Sequence, residues 1–99
     1  MPVMLSTERL QSLQDSCTSC AYDNWDGHVV VSQDDHGILT FKMLNEEDEE
    51  ECCYKATFLG SVLDHEIWLF SPYPQKMDDD TKPVPMTLVP AAIMGLMGL

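Results

Sequence analysis

His28-Val29-Val30-Val31-Ser32-Gln33-Asp34-Asp35-His36-Gly37-Ile38-Leu39-Thr40-Phe41-Lys42-Met43 decides the fold class of this chain. Residues 28–32 are short and rich in valine. Residues 38–43 alternate, placing Leu39, Phe41 and Met43 on one face and Ile38, Thr40 and Lys42 on the other. Between them lies Gln33-Asp34-Asp35-His36-Gly37, a loop in which Gly37 is available for a left-handed conformation. Two such runs joined by five residues that include glycine predict a β-hairpin.

The flanks extend this reading. Residues 45–51 are a charge run that belongs outside any core. Strand character resumes over 53–63, where Tyr54, Ala56 and Phe58 alternate with Lys55, Thr57 and Leu59, and Gly60-Ser61 marks a bulge or bend. Asp64-His65 turns the chain into Glu66-Ile67-Trp68-Leu69-Phe70, another β-rich run. Residues 71–85 hold Pro72, Pro74, Pro83 and Pro85 together with Asp78-Asp79-Asp80, and read as a long extended loop. Met86-Thr87-Leu88-Val89 reads as a last edge strand. Pro90 suits the first turn of a short C-terminal helix, which Gly95 and Gly98 weaken.

On the N-terminal side, residues 6–20 read as a helix. Ser6 or Thr7 serves as N-cap and Glu8 lies in the first turn, where the macrodipole favours an acid. Leu10, Leu13, Cys17 and Cys20 recur as one helical stripe. Asp23-Asn24-Trp25-Asp26-Gly27 ends the helix. The expected architecture is α+β: an N-terminal helix packed on a four- to five-stranded antiparallel sheet, with a short C-terminal helix. Its expected core is Leu10, Leu13, Val29, Val31, Leu39, Phe41, Phe58, Ile67 and Leu69.

Ninety-nine residues, 44% of them hydrophobic, amount to one small domain spanning residues 1–99. Seventeen acidic residues against five basic ones give a net charge of −12. This excludes the basic footprint of a nucleic-acid binder and argues against attachment to anionic membranes. No run approaches the ~20 apolar residues that span a bilayer. The N-terminus lacks a basic and apolar leader, and the four cysteines read as reduced thiols, so the expected compartment is cytoplasmic or nuclear.

Motifs for chemistry are sparse. Cys17-Thr18-Ser19-Cys20 is a C-x-x-C, but the second pair, Cys52-Cys53, is adjacent. Neighbours on a strand face opposite ways, so four cysteines converging on zinc is not expected, and no metal or cofactor is assigned. A thioredoxin-like role fails because the first cysteine would sit at a helix C-terminus, where the dipole raises its pKa. His28, His36 and His65 belong to no nucleophile–base pattern, and the acidic runs lack the glycine and spacing of a calcium loop, so no enzyme is expected.

The charge itself is uneven. Residues 45–66 carry eight acids and one base, more than half of the net charge in 22 residues. Self-repulsion on this scale destabilises a small domain. The sharper reading is therefore a surface for a basic partner, formed by Glu46, Glu47, Asp48, Glu49, Glu50 and Glu51, with Asp64, Glu66, Asp78, Asp79 and Asp80 assisting. Trp68, Tyr54 and Tyr73 are the candidate aromatic anchors at its centre. In size and acidity the chain resembles, in composition, the phage and viral proteins that inhibit nucleic-acid-binding host enzymes, some of which present carboxylates in place of phosphates. The resemblance implies a small inhibitor or adaptor, a DNA mimic that occupies the basic groove of a nucleic-acid-binding enzyme, as monomer or homodimer. The competing expectation is a structural or assembly protein that self-associates through its apolar C-terminus, with Met94 and Met97, and a sheet edge.

Overall fold

The computed structural model describes residues 2–21, 26–73 and 82–98. Their elements run α1 (Thr7–Ser19), β1 (His28–Gln33), β2 (Leu39–Leu44), β3 (Glu50–Val62), β4 (His65–Pro72), β5 (Val84–Met86) and α2 (Pro90–Leu96). The five strands form one antiparallel sheet in the order β1-β2-β3-β4-β5. Consecutive strands are thus neighbours throughout; two to five residues join each of the first three strands to the next, and residues 73–83 join β4 to β5. The expected α+β arrangement is what the chain adopts, with boundaries moved: β5 is 84–86 rather than 86–89, and β3 begins at Glu50 inside the charge run.

Ser6 caps α1, its hydroxyl accepting a hydrogen bond from the Arg9 amide at 3.1 Å. The helix buries Leu13 and Cys17, while Leu10 packs at the margin of the core. Cys20 is the C-cap and is exposed, so the apolar stripe ends at Cys17. The core continues through Val29 and Val31, then Leu39, Phe41 and Met43, then Ala56, and from α2 through Ile93, Met94 and Met97. The apolar C-terminal segment is therefore spent inside the fold.

In β4 the buried residues are Trp68 and Phe70, both 0% exposed, while Ile67 and Leu69 are only half-buried. This reverses the expected face. The cause lies in β3, where the register shifts between Phe58 and Gly60. Counting back from the pair Val62↔His65 with no interruption, Phe58 would face Leu69. Leu59 is an extra residue in the strand, so Phe58 instead faces Trp68 and Ala56 faces Phe70. Phe58 and Trp68 meet edge to face at 5.3 Å, and Phe41 and Phe70 lie 5.4 Å apart. Trp68 is a core residue and not a surface anchor.

Two hairpin loops share one construction. Asp34 Oδ1 accepts the amides of His36 (2.8 Å) and Ile38 (3.0 Å), and Gly37, at φ +84°, donates its amide to the Asp34 carbonyl. Asn45 Oδ1 likewise accepts the amides of Glu47 (2.9 Å) and Glu49 (3.0 Å), and Asp48, at φ +60°, donates to the Asn45 carbonyl. Each is a three-residue loop whose last residue is left-handed, a standard way to close a hairpin. The third hairpin loop, Leu63-Asp64, has both residues at positive φ (50° and 68°), as a two-residue turn matched to strand twist requires. Leucine is poorly suited to that conformation, and Leu63 is 88% exposed, so it gains no packing in return. Leu63→Asn is expected to raise stability by about 1 kcal/mol, readable as a higher denaturation midpoint. A lower midpoint would show that Leu63 makes a contact within the chain.

The edge of β1 is covered by α1. The Val29 amide donates to Thr18 Oγ1 at 3.0 Å and the Val31 amide to Gln14 Oε1 at 2.9 Å. These helix side chains occupy donors that another strand would seek. At the other border β5 is three residues long and contains Pro85, which has no amide hydrogen.

Candidate functional site: an acidic hairpin

Glu46, Glu47, Asp48, Glu49, Glu50 and Glu51 lie on the β2–β3 hairpin, and all six are exposed. Local hydrogen bonding explains why so charged a segment holds one shape. Asn45 closes the loop through its side chain, and its own amide donates to the Glu49 carbonyl at 2.9 Å. Leu44 pairs with Glu50 while Met43 pairs with Cys52, so Glu51 is the extra residue of a second bulge. One lysine and one imidazole lie near these acids among the described residues. His28 Nε2 is 3.8 Å from Asp48 Oδ1, and Lys42 Nζ is 3.9 Å from Glu50 Oε1. Most of the carboxylates face water without a partner charge nearby.

Asp64 and Glu66 do not join this cluster. Glu66 pairs with Ser61, eleven residues along β3 from Glu50, or roughly 36 Å of strand at ~3.3 Å per residue, and Asp64 lies in the turn beyond Val62. Glu66 has a different task. Its two oxygens receive both terminal nitrogens of Arg9, at 2.6 and 3.3 Å, tying the start of α1 to β4. The Arg9 hydrogen bonds hold the Glu66 carboxyl below its ordinary value of 4.5. The pair therefore contributes fully above that value and is lost as pH falls through the lower folded one. Both side chains are partly exposed, which limits the contribution to about 0–1 kcal/mol. Asp78, Asp79 and Asp80 lie outside the described residues.

Of the aromatic candidates, Tyr73 is the one the fold leaves open beside the acidic end. Its amide donates to the Cys53 carbonyl at 2.9 Å, and its exposed ring carries Lys55 Nζ 3.9 Å from the centroid. Tyr73, Lys55, Lys42, Glu50 and Thr40 line a shallow hollow of about 380 Å³ on the sheet face opposite the helices. Tyr54 packs half-buried against the core.

Three of the four thiols are chemically muted. Burial pushes the Cys17 thiol up to about 12, and burial likewise raises Cys52 and Cys53. A protonated thiol is a poor nucleophile and a poor ligand. Among the described residues, no three His, Cys, Asp or Glu side chains converge on a point where an ion could sit. The double variant Cys17→Ala with Cys20→Ala is expected to stay folded and lose about 1–2 kcal/mol, nearly all of it from the buried Cys17. A chelator is expected to leave the wild-type melting temperature unchanged. Collapse on chelation would assign these thiols to a metal.

The acidic hairpin was legible as charge but not as structure. Asn45-Glu46-Glu47-Asp48 repeats the spacing of Asp34-Asp35-His36-Gly37, an Asx residue followed three positions later by one that tolerates positive φ. That repeat is the signal that marks a closed loop within the charge run. No helix of the described residues is long and apolar enough to cross a membrane. Comparison with known proteins returns no match, whether among family models, curated proteins or solved structures.

Proposed function

We propose that this protein is a non-enzymatic binding module whose acidic hairpin enters a basic groove on another protein, acting as an inhibitor or adaptor in the cytoplasm or nucleus. The observation that carries this reading is the display of six contiguous carboxylates on a hydrogen-bonded hairpin. A charge run serving only solubility needs no fixed loop, and its self-repulsion works against folding. Held in one shape, the same charge steers association and fixes register on a positive surface. Tyr73, exposed next to the hairpin, supplies the aromatic contact that such an interface uses at its centre. A groove that normally holds nucleic acid is the partner chemistry that fits best, which makes the hairpin a mimic of the phosphate backbone in the manner of phage and viral inhibitors.

The competing reading, assembly through the apolar C-terminus, has less to draw on. Ile93, Met94 and Met97 are buried in their own fold, and β1 and β5 are blunted as edges.

Capture on immobilised protein from a lysate cleared of nucleic acid tests the proposal. Basic nucleic-acid-binding proteins are expected to be retained at low salt and released by duplex DNA. The variant Glu47→Gln, Glu49→Gln, Glu50→Gln is expected to retain far less of them. Equal retention by the wild type and this variant, or indifference to DNA, would reject it.

A further inference from the structure

Two rows of side chains cross the sheet face that the helices leave uncovered. One row is Ser32, Thr40 and Lys55, which the registers of β1, β2 and β3 place side by side. The next is Lys42 and Cys53, with Tyr73 held beside Cys53 by its amide bond to the Cys53 carbonyl. Together with Glu50 they line the hollow of about 380 Å³.

Cys53 is the floor of this hollow. It lies on the open face and outside the core cluster, yet it is only 6% exposed. Lys42 stands across from it, Tyr73 on its other side and Lys55 two residues along the strand, and these long side chains form the walls. Burial keeps the thiol protonated, so it is a donor, and it has no hydrogen-bond partner among the described residues. A polar group so deeply buried without a partner calls for an acceptor to complete it.

Charge supplies the second observation. Lys42 and Lys55 are two of the four cations among the described residues, in a chain with seventeen acids. The register makes them diagonal neighbours on adjacent strands, about 7–8 Å apart at the backbone, so their ammoniums reach a common point. Like charges placed this way repel, and the nearby acids do not neutralise them. Glu50 Oε1 stands 3.9 Å from Lys42 Nζ, too far for a hydrogen bond. Asp34, the acid that feels Lys55, accepts two amides of its own loop. Lys55 itself rests on the Tyr73 ring, a contact that leaves its N–H donors unspent.

We propose that this hollow is a site for a phosphate dianion, free or at the end of a small phosphomonoester, held between the Lys42 and Lys55 ammoniums over the Cys53 thiol. The Thr40 and Ser32 hydroxyls at the rim are further donors. A dianion cancels the repulsion between two ammoniums, where a single carboxylate cancels half of it. Lysine suits this task as a compact point charge with rotatable donors. Glu50 is the competitor that the anion displaces from Lys42.

Titration of the isotope-labelled full chain with inorganic phosphate, followed through its amide resonances, tests the site. Sodium chloride at matched ionic strength is the control. Phosphate is expected to give saturable shifts at Thr40, Lys42, Cys53 and Lys55, and chloride none. Lys42→Gln and Lys55→Gln should each weaken binding on the order of tenfold, while Lys42→Arg keeps most of it. Glu50→Gln should tighten binding by removing the competing carboxylate. A second arm with glycerol phosphate separates the two sources: tighter binding than inorganic phosphate assigns the site to a small phosphomonoester, and equal binding to the free ion. Shifts that never saturate, or that chloride reproduces, overturn the site. So does binding indifferent to Lys42→Gln, whose exposed side chain makes it the variant that stays folded. No basic partner enters these measurements, so their failure is distinct from a failure of the acidic hairpin.

Discussion

Trp68→Ala is expected to cost about 3–5 kcal/mol, close to the whole stability of a domain this small, and to leave a chain that melts broadly or not at all. Trp68 is the largest fully buried side chain among the described residues, packed against Phe58, with its indole nitrogen directed to Glu66 Oε1 at 3.5 Å. Truncation opens a cavity in the middle of the sheet that the paired strands β3 and β5 cannot collapse to fill. Ile67→Ala, one residue away on the opposite face and half-buried, is expected to cost less than half as much. Denaturant unfolding of the two variants side by side measures the difference. Equal losses, or a larger loss at Ile67, would mean that the bulge at Leu59 does not set the face of β4.

That pair of residues shows where the sequence stops being informative. Elements were readable because each strand or helix carries its own local signal, Ser6 before α1, Gly37 in the first hairpin, Pro90 at α2, whereas their order in the sheet was not. The faces of β1 and β2 were readable too, since Leu39, Phe41 and Met43 alternate with polar neighbours. Ile67-Trp68-Leu69-Phe70 is apolar on both faces, so periodicity is silent there. Its face is inherited from β3 through the turn and the bulge, and a single inserted residue inverts it. The same limit governed the site. Glu46 to Glu51 stood out as charge, but Asp64 and Glu66, fifteen or so residues on in sequence, fall at the opposite end of the longest strand. Net charge adds along a chain, whereas a binding surface adds in space.

The second large effect is expected at Asn45. Asn45→Ala removes the oxygen that receives two loop amides, and should cost about 1–2 kcal/mol at the low end of hydrogen-bond values, because the loop is exposed and water replaces the lost acceptor. Asn45→Asp keeps the acceptor and should recover most of the loss. The functional consequence separates shape from charge. Asn45→Ala retains all six carboxylates, so its encounter with a basic partner should be nearly as fast as the wild type's. The complex should dissociate sooner, since a loosened loop must be ordered on binding. If dissociation is unchanged while stability falls, the carboxylates act as a diffuse cloud and their fixed geometry is irrelevant.

The central claim is that the acidic hairpin steers the protein onto a basic surface. Stopped-flow association with the partner recovered by DNA elution measures this directly, over salt concentrations that shorten the Debye length from ~10 Å to ~3 Å. For the wild type the association rate should fall steeply across that range while dissociation changes little. For Glu47→Gln, Glu49→Gln, Glu50→Gln, it should start lower and fall with a shallower slope. The same rates and the same salt slope in both proteins would contradict the account and leave the hairpin as a solvated loop.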